Sequence, residues 1–270
     1  LEDTIRVTKP NTVVFGLGQA TLVSKNGKAV IEVGNVDGVK VSGVMLQAGP
    51  QESHTLLQWG AGSHTGSKSN PGVIQDVWTR VGGTNATGDM RTKYMIEVNS
   101  DNVIIDNIWL WRADHDVRGS VMNSRNPVET GLVINGNNVT GYGLAVEHTL
   151  GDMLVWNGDY GRSYFYQSEF PYDVTQENYA DKGYVAFRIG DNVQHHQGVG
   201  IGGYSFFRDH DVYVPTAIKA PERPGITLAN SFIVFLSGHG GIKSIVDGQG
   251  PGQVGGFGVK YDCDFNNHLL

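Results

Sequence analysis

The sequence has a single cysteine, Cys263, so no disulfide bond can close within the chain. We expect this cysteine to be a small buried hydrophobic residue. The chain has no run of 18 apolar residues, and the sequence therefore predicts no membrane-spanning segment. It also lacks a signal peptide and an initiator methionine, so we expect a mature protein or a fragment of a longer one.

Charged residues are scarce, and the basic ones are scattered. Asp, Glu, Lys and Arg make up 17% of the 270 residues, and the formal net charge is −7. Without a basic patch, the chain offers no electrostatic footprint for nucleic acid or for an anionic membrane. A negative surface also disfavours highly anionic polymers, so neutral polymers are left as candidate partners.

The 3.6-residue apolar period of an amphipathic helix is missing as well, which disfavours a doubly wound α/β fold. Short Val- and Ile-rich runs bounded by Gly, Asn and Asp are typical of strands and turns. Four segments resemble one another and suggest coils of about 20 to 25 residues interrupted by variable loops. They are GVKVSGVMLQ from Gly38, NVIIDNIWLW from Asn102, NVTGYGLAVE from Asn138 and NVQHHQGVGI from Asn192. We predict an all-β parallel β-helix as a single domain over residues 1–270, with an irregular β-sandwich as the alternative.

The alignment of these segments also predicts which side chains share a face. Repeated Gly and Asn positions suit left-handed turns and side-chain ladders between coils. The tenth residues Gln47, Trp111 and Glu147 should project from one side, where an amide, an indole and a carboxylate suit a sugar. The competing interpretation is that outward-facing strand positions are polar in any case.

A second acid, Glu169, lies among aromatic residues in the stretch GRSYFYQSEFPYDVT from Gly161 to Thr175. Desolvation there would raise the pKa of Glu169, and a carboxyl that stays protonated can act as a general acid. Glu147 lies 22 residues earlier, about one coil, so the two acids should be one strand apart on one face. Glycoside hydrolysis needs such a pair, and both retaining and inverting spacings remain open. The alternative is a surface glutamate between two half-buried aromatic faces.

Aromatic residues cluster around this pair, and their flat rings with polar tips suit sugar rings. Aromatic residues also favour strands for packing reasons alone, so we expect only a few of them to touch substrate. The predicted substrate-binding residues are Trp111, Trp156, Tyr166, Gln167 and Tyr172.

Two further stretches are weaker candidates for chemistry. WRADHD, from Trp111 to Asp116, has no distant partner at ligand spacing, so we expect a loop network there. SGHGGIKS, from Ser237 to Ser244, is similar to polygalacturonase motifs, but their upstream acidic motifs are missing, and we interpret it as a glycine-rich turn. We predict no metal and no cofactor, since no corresponding motif is present.

Several stretches together resemble glycoside hydrolase family 55. They are YFYQSEFPYDVT from Tyr164, GLAVEHT from Gly143, WLWRADH from Trp109 and GLVINGNNVTGYGL from Gly131. The resemblance implies an exo-β-1,3-glucanase that removes glucose from the non-reducing end of a glucan such as laminarin, with inversion. It implies Glu169 as the general acid, Glu147 as the acid that holds or activates the attacking water, and Trp111 as a subsite residue.

The resemblance also implies two right-handed parallel β-helices side by side, with the active site between them. Family members are roughly twice this length, and the chain resembles only their second half. We therefore expect a companion N-terminal β-helix, in the same or another chain, to complete the pocket. Sequons at Asn85 and Asn138 favour a secreted protein. A non-catalytic polysaccharide-binding β-helix and another β-helical polysaccharide hydrolase or lyase remain as alternatives.

Overall fold

The computed structural model describes residues 1–84 and 88–265, without the side chains of residues 261–264. The predictions for the Asn85 sequon and for burial of the Cys263 side chain lie outside this described part. Among the described residues, no helix is long and apolar enough to cross a membrane.

Strands make up nearly all regular structure in the described part, and its one helical element is a 3₁₀ turn at Ala180–Lys182. The strands are β1 (Ile5–Val7), β2 (Val13–Val23), β3 (Ile31–Val33), β4 (Lys40–Gln47), β5 (Ser53–His64), β6 (Gly72–Val81), β7 (Thr92–Ser100), β8 (Val103–Arg112), β9 (His115–Asp116), β10 (Gly119–Ser120), β11 (Val128–Ile134), β12 (Thr140–Glu147), β13 (Leu154–Trp156), β14 (Gly161–Glu169), β15 (Phe187–Ile189), β16 (His196–Val214), β17 (Ile218–Lys219), β18 (Ile226–Ile242), β19 (Gln253–Val254) and β20 (Gly258–Phe265).

Successive strands alternate between two sheets. The first sheet has the order β1-β3-β5-β7-β11-β13-β15-β17, and the second runs β2-β4-β6-β8-β12-β14-β16-β18. All pairs within these two series are parallel, and β19 and β20 add antiparallel strands to β18. This all-β arrangement is consistent with a parallel β-helix. The predicted alternative, a β-sandwich, is wrong because a sandwich is built from antiparallel sheets.

The core lies between the two sheets, where buried side chains of successive strands stack at equivalent positions. One inward row of the second sheet consists of Val44, Val77, Ile108, Leu144, Tyr166 and Ile201, all buried. One passage of the chain through both sheets, here called a coil, therefore adds one layer to this core. Burial of such apolar layers is the main source of stability in a fold of this kind.

Left-handed geometry at the repeated Asn turn positions is confirmed at Asn102 and Asn138, with φ values of 58° and 53°. Gly and Asn positions within the strands are left-handed too. Gly43, Asn107 and Gly143, each five residues into its segment, have φ values of 69°, 51° and 58°. Equivalent residues of the neighbouring strands are left-handed too: Asp76, Phe165, Gly200 and Asn230. Neighbouring strands of the second sheet thus have a left-handed residue at the same position in their alignment.

The predicted side-chain ladder also forms between coils. The Asn157 amide donates to Asn135 Oδ1 at 2.9 Å, and the Asn135 amide donates to Asn99 Oδ1 at 2.7 Å. The interpretation of SGHGGIKS as a turn is wrong, because β18 continues through it to Ile242. Its glycines Gly238, Gly240 and Gly241 have positive φ, so this part of β18 is irregular.

Candidate active site

One outward-facing row of the second sheet brings the predicted residues together. Along six neighbouring strands, the Cα partners in this row are Gln47, Arg80, Trp111, Glu147, Glu169 and Tyr204. The predicted alignment of Gln47, Trp111 and Glu147 is therefore confirmed. The fourth segment is out of register, because Ile201 pairs with Tyr166 and is buried.

The two glutamates occupy the centre of this row. Glu147 ends β12 and Glu169 ends β14, and they are direct Cα partners on adjacent strands about 4.8 Å apart. The Tyr172 hydroxyl donates to Glu169 Oε2, and the Gln167 amide lies 3.5 Å from Glu169 Oε1. One carboxyl of the pair is thus held by polar partners from its own strand and from the loop that follows.

Both carboxyls have raised pKa values. Burial raises the pKa of Glu147 to about 7, and the negative charges of Glu169 and Asp114 add to this rise against the opposing Trp109 and Gln167 side chains. Burial also raises the pKa of Glu169, as does Asp114, although hydrogen bonds from Tyr172 and Gln167 oppose it. Like charges this close titrate as a pair, so the pair retains a proton towards neutral pH.

Aromatic rings flank the pair on both sides. The rings of Trp109 and Trp111 stack with centroids 5.6 Å apart, and Trp78 packs against Trp109 at 5.7 Å. On the other side, the Tyr172 ring lies between His148 at 4.3 Å and Phe206 at 4.7 Å. The aromatic surfaces can bind the apolar face of a sugar, and the two partly buried acids between them can exchange protons with it.

A buried ion pair that sequence analysis missed lies directly behind the site. Arg112 and Asp173 side chains are 1% and 2% exposed and share two contacts of 2.9 Å. Arg112 also donates to the backbone oxygens of Arg125 and His148, and the Ser124 N–H donates to Asp173. Because Arg112 follows Trp111 and Asp173 follows Tyr172, this ion pair ties the end of β8, which carries Trp111, to the loop that carries Tyr172.

Arg80 is a second residue that sequence analysis missed. It occupies the row between Gln47 and Trp111, and its Nε donates to Gln47 Oε1 at 3.2 Å. The sequence could have indicated Arg80, because one more coil lies between the segments that start at Gly38 and Asn102. The repeat alignment did not include that coil.

Two predicted substrate-binding residues are wrong. Trp156 belongs to β13 of the first sheet, and Tyr166 belongs to the inward row; both are 0% exposed. The Tyr166 hydroxyl donates to the Ala186 carbonyl at 2.8 Å, and the Trp156 ring packs against Phe187 and His196. These side chains fill the core, so they cannot contact a substrate.

The stretch WRADHD forms a loop network, as predicted. His115 lies 2.9 Å from Asp114, and Asp116 pairs with Arg118 and Arg125. Within the described ranges, no group of three His, Cys, Asp or Glu side chains is placed to hold a metal ion.

The chain is thus an all-β scaffold whose stacked parallel strands present a carboxyl pair between aromatic rings. The chain belongs to the family of the LAM55 pectate lyase-like domain, whose sequence model matches residues 1–169. The resemblance to glycoside hydrolase family 55 is thereby confirmed.

Relatives in Streptomyces extend this comparison. An exo-beta-1,3-glucanase of Streptomyces sp. (strain SirexAA-E / ActE) is 36% identical over 261 residues, which are 94% of this chain and 42% of the relative. The structure of sacteLam55A from Streptomyces sp. SirexAA-E matches with a TM-score of 0.88 and 34% identity, over 97% of this chain and 48% of that one. A glutamate-to-alanine variant of sacteLam55A in complex with glucose matches with a TM-score of 0.87 and 34% identity, over 96% and 49%. The chain thus spans half the length of these relatives or less.

The contrast between Trp111 and Trp156 gives a matched pair of variants. Trp111→Ala should weaken binding of a laminari-oligosaccharide about tenfold with the fold intact, because Trp111 lies on the outward face beside the acids. Trp156→Ala should instead lower the free energy of unfolding by about 3–5 kcal/mol, because it opens a cavity in the core. Calorimetric titration and thermal unfolding of both variants test this. Unchanged affinity in Trp111→Ala would remove that residue from the site.

Proposed function

We propose that the chain carries the acid pair of an exo-β-1,3-glucanase, which hydrolyses laminarin-type glucan from the non-reducing end with inversion and releases glucose. The observation that carries this proposal is the pairing of Glu147 with Glu169 at one position of adjacent strands. It is supported by a relative named as an exo-beta-1,3-glucanase and by a solved relative in complex with glucose.

The two acids take different roles in this proposal. Glu169 protonates the oxygen that leaves the cleaved glycosidic bond, and its new negative charge is stabilised by the Tyr172 hydroxyl and the Gln167 amide. Glu147, with a pKa of about 7, is half ionised near neutral pH and ionised above it, and in its ionised form it holds or activates the attacking water. The same pKa favours Glu147 as the proton donor below pH 7, so the reversed assignment is the second candidate.

The surroundings of the site complete the proposal. Trp111, Gln167 and Tyr172 bind the sugar, and a companion N-terminal β-helix lies beside this right-handed one and closes the pocket. The difference in length between the chain and its relatives supports a companion half. We further propose that the protein acts outside the cell, where its polymeric substrate is found.

Glucose release from laminarin by the full-length protein tests this function, and proton NMR of the first product tests the stereochemistry. Inversion of a β-linkage should yield α-glucose first, followed by mutarotation. Initial β-glucose would indicate retention, which requires the carboxyls to be about 5–5.5 Å apart. Polygalacturonate serves as the control substrate, and its cleavage in place of laminarin would contradict the proposal.

A further inference from the structure

A third carboxylate, Asp114, lies at the edge of the acid pair, in the loop after β8. Its Oδ1 accepts a hydrogen bond from the Trp111 indole N–H at 3.3 Å and lies 2.9 Å from His115 Nδ1. The same oxygen is 3.9 Å from His148 Nε2. The Asp114 side chain is only 21% exposed, so these contacts restrict it to one orientation.

His148 lies between Asp114 and the general acid candidate. It is buried directly after Glu147 in a left-handed conformation, with φ of 64°. Its Nδ1 lies 3.2 Å from the Phe170 carbonyl, which can only accept, so Nδ1 carries the proton. Its ring packs edge-on against Tyr172, whose hydroxyl donates to Glu169. Contacts therefore run from His148 through Tyr172 to Glu169, whereas Asp114 contacts Trp111 and lies 3.9 Å from His148 Nε2 without a hydrogen bond.

We propose that Asp114 is a positioning residue, which fixes the plane of the Trp111 indole by accepting its N–H hydrogen bond. Its catalytic consequence rests on the function proposed above. The indole N–H bond is the polar contact that sets the plane of the Trp111 ring, beside its stacking on Trp109 and its tilted contact with His115.

Asp114 also acts by its charge. Its carboxylate disfavours ionisation of both glutamates and so favours the protonated form of Glu169, which donates that proton to the leaving oxygen. An asparagine at this position keeps an oxygen that can accept from the indole but carries no charge, so it separates the two roles. The other titratable and charged groups that face Asp114 or its partners are Glu147, Glu169, Tyr172, His115, His148, Arg112 and Arg208.

The test compares Asp114→Ala and Asp114→Asn in the full-length protein. Asp106→Asn is the matched control, because Asp106 is a carboxylate on β8 itself, eight residues before Asp114 and away from the acid row. Two readouts are used. One is the indole N–H resonance of Trp111 in protein labelled with ¹⁵N-tryptophan, assigned through Trp111→Phe. The other is the pH profile of kcat and KM for glucose release from laminarin.

Asp114→Ala should move the Trp111 indole resonance and raise KM about tenfold. Asp114→Asn should keep KM within about twofold, yet shift the alkaline fall in activity to lower pH by about half a unit, because the removed charge had kept Glu169 protonated. Asp106→Asn should change neither readout.

An unchanged indole resonance in Asp114→Ala would overturn the positioning role, whether or not the protein releases glucose. Equal KM increases in both variants, with an unshifted pH profile, would also overturn it, since a merely structural loop residue behaves in that way. If Asp114→Ala does not fold, the indole resonance and pH profile of Asp114→Asn decide the matter. Absence of glucose release by the unmodified protein overturns the proposed function alone, because the resonance still tests the contact.

Discussion

Glu169→Gln is expected to lower glucose release from laminarin about a thousandfold, the range found for loss of a general acid. The glutamine amide has nearly the same shape and can still accept a hydrogen bond from Tyr172, but it has no proton to give to the leaving oxygen. Binding of oligosaccharide should survive, because the rings of Trp109, Trp111 and Tyr172 remain in place.

The matched variant Glu147→Gln distinguishes the two acid roles. A substrate whose leaving group needs no proton, such as a dinitrophenyl β-glucoside, should restore much of the activity of Glu169→Gln and little of Glu147→Gln. Added azide, which can replace the activated water, should restore turnover of Glu147→Gln alone. If both rescue patterns are interchanged, Glu147 is the proton donor, as its pKa of about 7 would allow.

Asp173→Asn is expected to lower the free energy of unfolding by about 3–5 kcal/mol, because it leaves the buried Arg112 guanidinium without a counter-charge. Burial alone would raise the pKa of Asp173, but hydrogen bonds and charge from Arg112 hold it below its ordinary value. A lowered folded-state pKa means that this stabilisation is present above the unfolded-state pKa and is lost as pH falls through the folded-state pKa. Urea unfolding at neutral and acidic pH measures both effects.

Two controls distinguish this prediction from a general loss of charge. Asp3→Asn removes a carboxylate from an exposed pair with Lys28 and should hardly change unfolding. The double variant Arg112→Met with Asp173→Leu removes both buried charges and should recover much of the stability. If Asp173→Asn changes the free energy of unfolding as little as Asp3→Asn does, the Arg112–Asp173 ion pair does not stabilise the fold.

The acid pair was predictable from the sequence because adjacent coils without inserted loops keep a constant step. The 22 residues from Glu147 to Glu169 make such a step. The repeated Asn-Val starts indicate where each coil begins, and hence which positions of successive coils are equivalent. Burial of Tyr166 could also have been predicted, because side chains alternate between the two faces of a strand. Tyr166 lies three residues before Glu169 and must therefore face the other side. The prediction for Tyr166 considered its aromatic neighbourhood and ignored this alternation.

Other features had no local signal in the sequence. Trp156 belongs to a three-residue strand of the opposite sheet, where no alternation is long enough to indicate a face. Arg112 and Asp173 are separated by 61 residues, and their contact depends on how two loops fold back over the ends of β8 and β14. The position of Asp114 beside the acid pair likewise depends on the conformation of a loop, which the alternation of residues along the strands does not specify.

The equal positions of Glu147 and Glu169 on consecutive coils have an evolutionary consequence. In a chain built by stacking, duplication of one 22-residue coil that bears a single glutamate creates a second glutamate at strand spacing in the same mutational event. No separate selection for the geometry of the pair is required, because hydrogen bonding between the two strands in register places equivalent residues side by side. Later point substitutions then need only make the surroundings of the two copies different, as the Tyr172 partner of Glu169 does here.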